Sequence, residues 1–354
     1  GSYPGKHYAC SNSEKLGGRK MENFKNSPLV KKLGFNRIVL VGVMILMYIL
    51  FSIGSMTIGS GKPLGINNII SALNYAYFLG FLALGVTFVI ATGGIDFSIG
   101  PVMFCAALIG GRLLVKDGWP VIVCLFVCII VGTIFGVANG YLVAYMGLPS
   151  FISSMALMMM AKGVGSVFTQ TQSISWPQAA DENGLGWFRN LVRIKMGDAT
   201  FPMGLVLLLL TAVVCAIVLN NTKAGRYILC LGSNKEAVRL SGVNVKKWEC
   251  LAYVLCGTLA GLAAIFYVGA YTTVGPGLGD TFNNEAIASC VMGGTSMSGG
   301  IASMGGSIIG TLIIALLQEG ILAMKFQKDY QYVITGIIVI LAVYADIRSR
   351  KRKN

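Results

Sequence analysis

Charge is scarce in this chain. Lys, Arg, Asp and Glu make up 12% of its 354 residues, about half the roughly 25% of an average soluble protein. Hydrophobic residues make up 55% and the mean hydropathy is +0.72. Folded around one water-soluble core, such a chain would be overfull inside and undercharged outside. A single histidine, His7, lies in the N-terminal tail, which excludes a histidine-based metal or acid–base centre within the apolar body. The nine cysteines contain no C-x-x-C pair. Cys105, Cys124, Cys128, Cys215, Cys256 and Cys290 fall in apolar runs, and Cys10, Cys230 and Cys250 in or beside basic segments. That scatter fits reduced, apolar filler and not a disulfide framework. A nucleotide-binding loop is also missing, since the nearest look-alike, Gly61-Lys62, runs into Pro63 where Ser or Thr is required. No catalytic residue, metal or cofactor is expected, so any driving energy comes from another chain.

What is abundant is uninterrupted apolar sequence. A spanning helix needs about 20 mostly apolar residues. Six runs qualify clearly: Ile38–Gly59, Ile69–Thr92, Val121–Ala144, Phe201–Asn220, Cys250–Tyr271 and Tyr330–Ala345. Four are broken by Gly, Ser or a lone charge: Ile99–Val115, Phe151–Thr169, Ala286–Met297 and Ser303–Leu322. The runs are continuous, not alternating in segments of about 10 residues, which excludes a transmembrane barrel. The expected fold is an all-α polytopic bundle of about ten membrane helices, some of them short or interrupted. Ala286–Met297 is too short to span unaided.

The net charge is +14, from 28 Lys and Arg against 14 Asp and Glu, and its placement matters more than its size. With ten spans and the N-terminus inside, the cytoplasmic pieces hold 19 Lys and Arg against 8 outside. The positive-inside rule therefore predicts both termini in the cytoplasm. The excess then faces anionic lipid and partner proteins, with no need for nucleic acid. The expected layout is a basic cytoplasmic tail over 1–36, a membrane domain over 37–346 and a basic cytoplasmic tail over 347–354. Residues 1–20 read as an appended or upstream stretch ahead of Met21, the expected natural start. The first apolar run reads as a retained anchor, having no small-residue cleavage site. The external loop 171–200 is neutral overall, and its Trp176 and Trp187 are expected at the membrane interface.

Two glycine-rich stretches interrupt the apolar pattern. Gly93–Gly100 reads GGIDFSIG. Asp96 or Ser98 there can cap the next helix, or the stretch is a broken helix lining a pathway, since irregular backbone survives at membrane depth only beside protein or water. Gly293–Gly300 reads GGTSMSGG and is followed by Gly306 and Gly310. Close helix packing through small residues is its simpler reading. Lys162 can snorkel, and Glu285, Glu319 and Asp346 are expected at segment ends, so no proton relay is required. The internal loop 221–249 holds a short helix that Ser233 or Asn234 can cap and Gly242 can end. Its small Ala and Leu face suits docking in a partner's groove; the plainer alternative is a basic loop resting on anionic lipid.

These blocks, taken in order, resemble the permease subunits of bacterial ATP-binding-cassette (ABC) sugar importers, the branch carrying ribose, xylose, galactose and related sugars. The resemblance rests on Gly93–Gly100, Ala138-Asn139-Gly140, Leu148–Ile152, Thr222–Tyr227, Gly232–Gly242, Ala286-Ile287-Ala288, Gly293–Gly300 and Leu341-Ala342-Val343. It implies a permease dimer in the inner membrane, an extracytoplasmic sugar-binding protein outside and a separate ATPase inside. It further implies a coupling helix over 233–242, with Arg226, Asn234, Lys235, Glu236, Ala237, Leu240, Ser241 and Gly242 meeting the ATPase. Gly94, Asp96, Ser98, Asn139, Phe151, Gly293 and Gly294 are the candidates for helix breaks or pathway lining. The chain departs from the family pattern at Asn283-Asn284-Glu285 and at Lys162, where Arg is usual. The rival reading is a self-sufficient channel or ion-coupled secondary transporter for small polar solutes, which would share the interrupted helices.

Overall fold

A backbone withdrawn from water can satisfy its N–H and C=O groups within a helix, and each of the ten apolar runs contains one. The computed structural model describes residues 35–59, 61–178, 184–196, 199–327 and 329–351. The tail ahead of residue 35, with His7, Cys10 and Met21, lies outside the described residues, as do Asp181, Glu182 and Asp198 and the side chain of Asp346. In chain order the α-helices are α1 (Phe35–Thr57), α2 (Ile66–Ala91), α3 (Ile99–Val115), α4 (Val121–Ala144), α5 (Ser150–Phe168) and α6 (Met203–Asn221). They continue as α7 (Lys223–Ser233), α8 (Lys235–Leu240), α9 (Val245–Ala270), α10 (Asp280–Met292), α11 (Met304–Ala323) and α12 (Asp329–Lys351). Among the described residues seven helices are long and apolar enough to cross a membrane: α1, α2, α4, α5, α6, α9 and α11. The fold is an all-α polytopic membrane bundle. α3 has 17 residues and α10 has 13, so both are shorter than a full span of about 20.

α2 is the axis of the bundle: 89% of its most apolar window is buried, against 6% for peripheral α1. α9, α10 and α11 all pack on α2. Polar stitches join three of them, with Thr87 Oγ1 2.8 Å from Ser307 Oγ and Cys290 Sγ donating to Ala83 O at 3.0 Å. Lipid supplies no hydrophobic drive between helices, so close approach of small residues takes over. α4 meets α9 through such a seam. A Cβ on Gly132 would lie 2.3 Å from Gly257 O, and one on Gly261 would lie 2.6 Å from Cys128 O. α10 and α11 meet likewise at Gly293 and Gly306, where a Cβ on Gly306 would sit 1.9 Å from Gly293 O. The eight described cysteines are free and six are buried.

The loop after α5 is structured. β1 (Ile174–Ser175) pairs antiparallel with β4 (Thr273–Val274), setting Ile174 opposite Val274. β2 (Ile194–Met196) and β3 (Ala199–Phe201) form a short hairpin behind a 3-10 helix over Leu185–Leu191. Trp176 does not sit at an interface as its type suggests. It is 1% exposed, its Nε1 donates to Ala107 O at 3.1 Å, and Phe188 meets its ring edge-on at 5.4 Å. Gly110 and Gly111 of α3 leave the room that the indole fills. Trp187 is the partly exposed one, at 39%.

Candidate functional site

The internal loop folds into two helices, where a single short one is expected. Thr222 caps α7 by accepting from Gly225 N at 3.3 Å, and Ser233 is the last residue of α7, not a cap. Asn234 caps α8, with Oδ1 accepting from Ala237 N at 2.9 Å. Gly242, at φ +79°, takes the left-handed turn beyond α8. Asn244 Oδ1 then accepts from Lys247 N at 3.1 Å to start α9. Arg226, Asn234, Lys235, Glu236, Ala237, Leu240, Ser241 and Gly242 are all exposed, Leu240 at 76%. Val238 alone of α8 turns inward. Lys235 Nζ reaches Glu249 at 2.7 Å and fastens α8 to α9. Arg239 pairs with Glu236 at 2.6 Å on the outer face, and this hydrogen bond holds the Glu236 carboxyl below its ordinary value.

α7 ends against both glycine-rich breaks. A Cβ on Gly232 would lie 2.1 Å from Ala91 O, 2.4 Å from Gly300 N and 2.9 Å from Gly299 Cα. Gly300 N in turn donates to Ala91 O at 3.0 Å, and a Cβ on Gly299 would lie 2.8 Å from Gly93 N. No residue with a side chain fits at Gly232 without displacing backbone. The exposed helix α8 therefore starts three residues beyond a point where the end of α2 and the segment between α10 and α11 touch.

From that junction residues 92–98 run as non-helical backbone to the start of α3. Ser98 is the N-cap position, but Asp96 does the bonding. Its Oδ1 accepts from Ser98 N at 2.8 Å and Ser98 Oγ at 2.6 Å. Asn139 and Cys256 face the same carboxylate, and Asn139 Oδ1 accepts from Ser153 Oγ at 2.7 Å. Asp96, Ser98 and Asn139, singled out separately along the chain, are thus one buried polar cluster. Gly94 makes room for Tyr253, whose hydroxyl would be 2.4 Å from a Cβ there. Phe151 lies apart from the cluster, 52% exposed and edge-on to Phe97 at 5.9 Å. Gly293 is a helix contact, and Gly294 takes φ +90° in the second break.

Two residues of α10 hold larger roles than their sequence setting suggests. Asn283 grips the start of α3: its Oδ1 accepts from Gly100 N at 2.7 Å and its Nδ2 donates to Phe97 O. Glu285 is not at a solvated segment end. It is 2% exposed, accepts from the Tyr75 hydroxyl, and accepts from Gln331 Nε2 at 3.1 Å. Tyr75 is nine residues into α2, about 14 Å along its axis at 1.5 Å per residue. Glu319 is partly solvated, and its Oε1 accepts from Asn68 Nδ2 at 3.0 Å. Lys162 does not snorkel free; it pairs with Asp280 at the start of α10. The signal for Glu285 was available in its neighbours, an acid directly before Ala-Ile-Ala in an apolar run, but α10 is short and packs against α2, α3, α11 and α12, so the apparent segment end is buried. Among the described residues no group of three or more His, Cys, Asp or Glu is placed to hold a metal.

Comparison with known proteins matches residues 68–343 to the family described as branched-chain amino acid transport system, permease component. The ribose import permease protein RbsC of Escherichia coli K12 is 31% identical over 281 residues, covering 79% of this chain and 86% of that protein. The fructose import permease protein FrcC of Rhizobium meliloti is 32% identical over 280 residues, covering 79% and 77%. The xylose transport system permease protein XylH of Escherichia coli K12 is 28% identical over 347 residues, covering 82% and 88%. No solved structure matches. With the family match spanning most of the bundle, including both glycine breaks and the two-helix loop between them, the chain belongs to the permeases of the ABC sugar-importer family.

Proposed function

We propose that this chain forms the translocation pathway of an ATP-driven importer for a small sugar of the ribose, xylose or galactose class. Two copies enclose the pathway, a binding protein delivers sugar from outside, and a separate cytoplasmic ATPase docks on α8. The observation that carries this reading is the Gly232 junction. A capped helix exposed at every position but Val238 is joined through α7 to the backbone of both helix breaks. Motion of α8 that carries α7 with it presses on the backbone at residues 91, 93 and 299–300, which is the coupling that alternating access needs. In this cycle ATP closes the ATPase, α8 moves with it, and the pathway opens outward to take sugar from the docked binding protein. Both termini face the cytoplasm, and Asp96, Ser98, Asn139, Gly94 and Gly294 shape the first and second breaks along the route.

Sugar is favoured over amino acid because the relatives matched along most of their length are import permeases for ribose, fructose and xylose. The buried Glu285 favours a second reading, an ion-coupled transporter working alone, since intramembrane acids commonly serve ion pathways. Reconstitution separates the two. The chain is placed in proteoliposomes with and without its ATPase, and entry of labelled ribose, xylose or fructose is followed with binding protein outside and ATP inside. Entry only with ATPase and ATP is expected. Entry driven by an ion gradient through the chain alone would overturn the proposal.

A further inference from the structure

One mostly apolar cleft carries a few polar side chains on its walls. It has a volume of about 520 Å³ and lies between the second break, α10 and α12, with Phe97, Glu285, Asn284, Thr281, Tyr332 and Thr335 on its walls. That volume falls within the roughly 300–1,000 Å³ of small-molecule sites. Glu285 closes its base, held by Tyr75 and Gln331. Thr281 and Asn284 are exposed at its walls, and Tyr332 is 40% exposed.

Two buried polar atoms on one face of α12, Thr335 Oγ1 at the cleft wall and Gln331 Oε1 one turn before it, have no hydrogen-bond partner among the described residues. Thr87, Thr133, Thr211, Thr258 and Thr311 each return the hydroxyl proton to the carbonyl four residues earlier. Thr335, 5% exposed, makes no such bond, and its Oγ1 is unpaired. Gln331, one turn before it and fully buried, spends Nε2 on Glu285 and leaves Oε1 unpaired. Residues four apart lie on one helix face. Hydrocarbon offers such atoms nothing, and leaving them unmet is costly. A ligand hydroxyl that donates to Gln331 Oε1 can accept from Thr335 Oγ1, so one such group suits both atoms at once.

We propose that this cleft is a way station for a neutral monosaccharide, with the Gln331–Thr335 pair and Glu285 receiving sugar hydroxyls while the Tyr332 and Phe97 rings take its C–H surface. It rests on the sugar-importer reading above and adds the site at which the chain itself holds its substrate. A carboxylate supplies acceptors only, so it suits a hydroxyl-rich ligand and repels an anionic one. Amides and hydroxyls around it match a polyol that is both donor and acceptor. The grip is weak by construction, from a few neutral hydrogen bonds, as a conduit requires.

The test uses sugar protection of a cysteine. Asn284→Cys is made with Cys10→Ser and Cys230→Ser, and the chain is held with its ATPase and binding protein in proteoliposomes. Alkylation of Cys at 284 by N-ethylmaleimide is timed with ribose, xylose or fructose, alongside labelled uptake of each. The sugar that is taken up is expected to slow alkylation. Adding Thr335→Val, which keeps shape and removes the hydroxyl, should raise the half-protecting concentration about fivefold, the worth of one neutral hydrogen bond. Uptake of a sugar with no slowing of alkylation by that sugar, or protection unmoved by Thr335→Val, overturns the way station and leaves the importer reading standing. Absence of ATP-dependent uptake of any of the three overturns the importer reading and the way station with it.

Discussion

Asp96 accepts two hydrogen bonds from Ser98 while 2% exposed, so it is the peg on which the first break turns. Removing it strands the Ser98 N–H in a buried place, at a cost of about 1–3 kcal/mol. Asp96→Ala is therefore expected to lower the melting midpoint of the detergent-purified chain, and Asp96→Asn, which keeps the acceptor, to restore most of it. Equal midpoints for the three would refute the peg. Glu236 is the contrasting acid, exposed on α8 and held below its ordinary value of 4.5 by Arg239. A depressed value means that its contribution is complete above 4.5 and is lost only as pH falls below it. Because the Glu236–Arg239 pair is solvent-exposed it contributes little, so near neutral pH Glu236→Gln should fold almost as stably as the wild type, and an uptake defect in that variant reports docking and not folding. Residue types were legible in the chain, but their depth was not. Glu285 and Trp176 both stand near apparent segment ends, and both are buried because a neighbouring helix or loop folds back over them.

At the scale of elements, the apolar runs were readable because lipid leaves the helix as their only open conformation. The two helices of the internal loop were half readable. The Asn-x-x-Ala cap and the glycine stop marked α8, whereas α7 shows its role only through Gly232, whose contacts come from residues 91 and 299–300 far away in sequence. The junction separates two kinds of failure. Leu240→Arg alters only an exposed surface; it should leave the melting midpoint unchanged and abolish ATP-driven uptake and permease-stimulated ATPase activity. Gly232→Val places two methyl groups where a Cβ is already 2.1 Å from Ala91 O. It should lower both the midpoint and uptake, while a pull-down still recovers the ATPase through an unaltered α8. Wild-type uptake in Leu240→Arg would remove α8 from the coupling path.

At the scale of the molecule, basic residues divide 19 to 8 between the two sides expected from ten spans, and the fold adds a means of asking which side is which. Cys230 is the one exposed cysteine among the described residues, and it lies on α7 close to the start of α8. The remaining described cysteines are buried or half-buried among helices, where a charged reagent does not reach. With Cys10 replaced by Ser, a membrane-impermeant maleimide should leave the chain unlabelled in right-side-out spheroplasts and label it in inverted vesicles. Labelling of spheroplasts would put α8 on the outer face and end its assignment to a cytoplasmic ATPase, whatever the lysine count implies. The same membranes probe the other face. A cysteine introduced at Trp187, 39% exposed in the loop between α5 and α6, should react in spheroplasts, because one crossing, α6, separates that loop from α7 and α8.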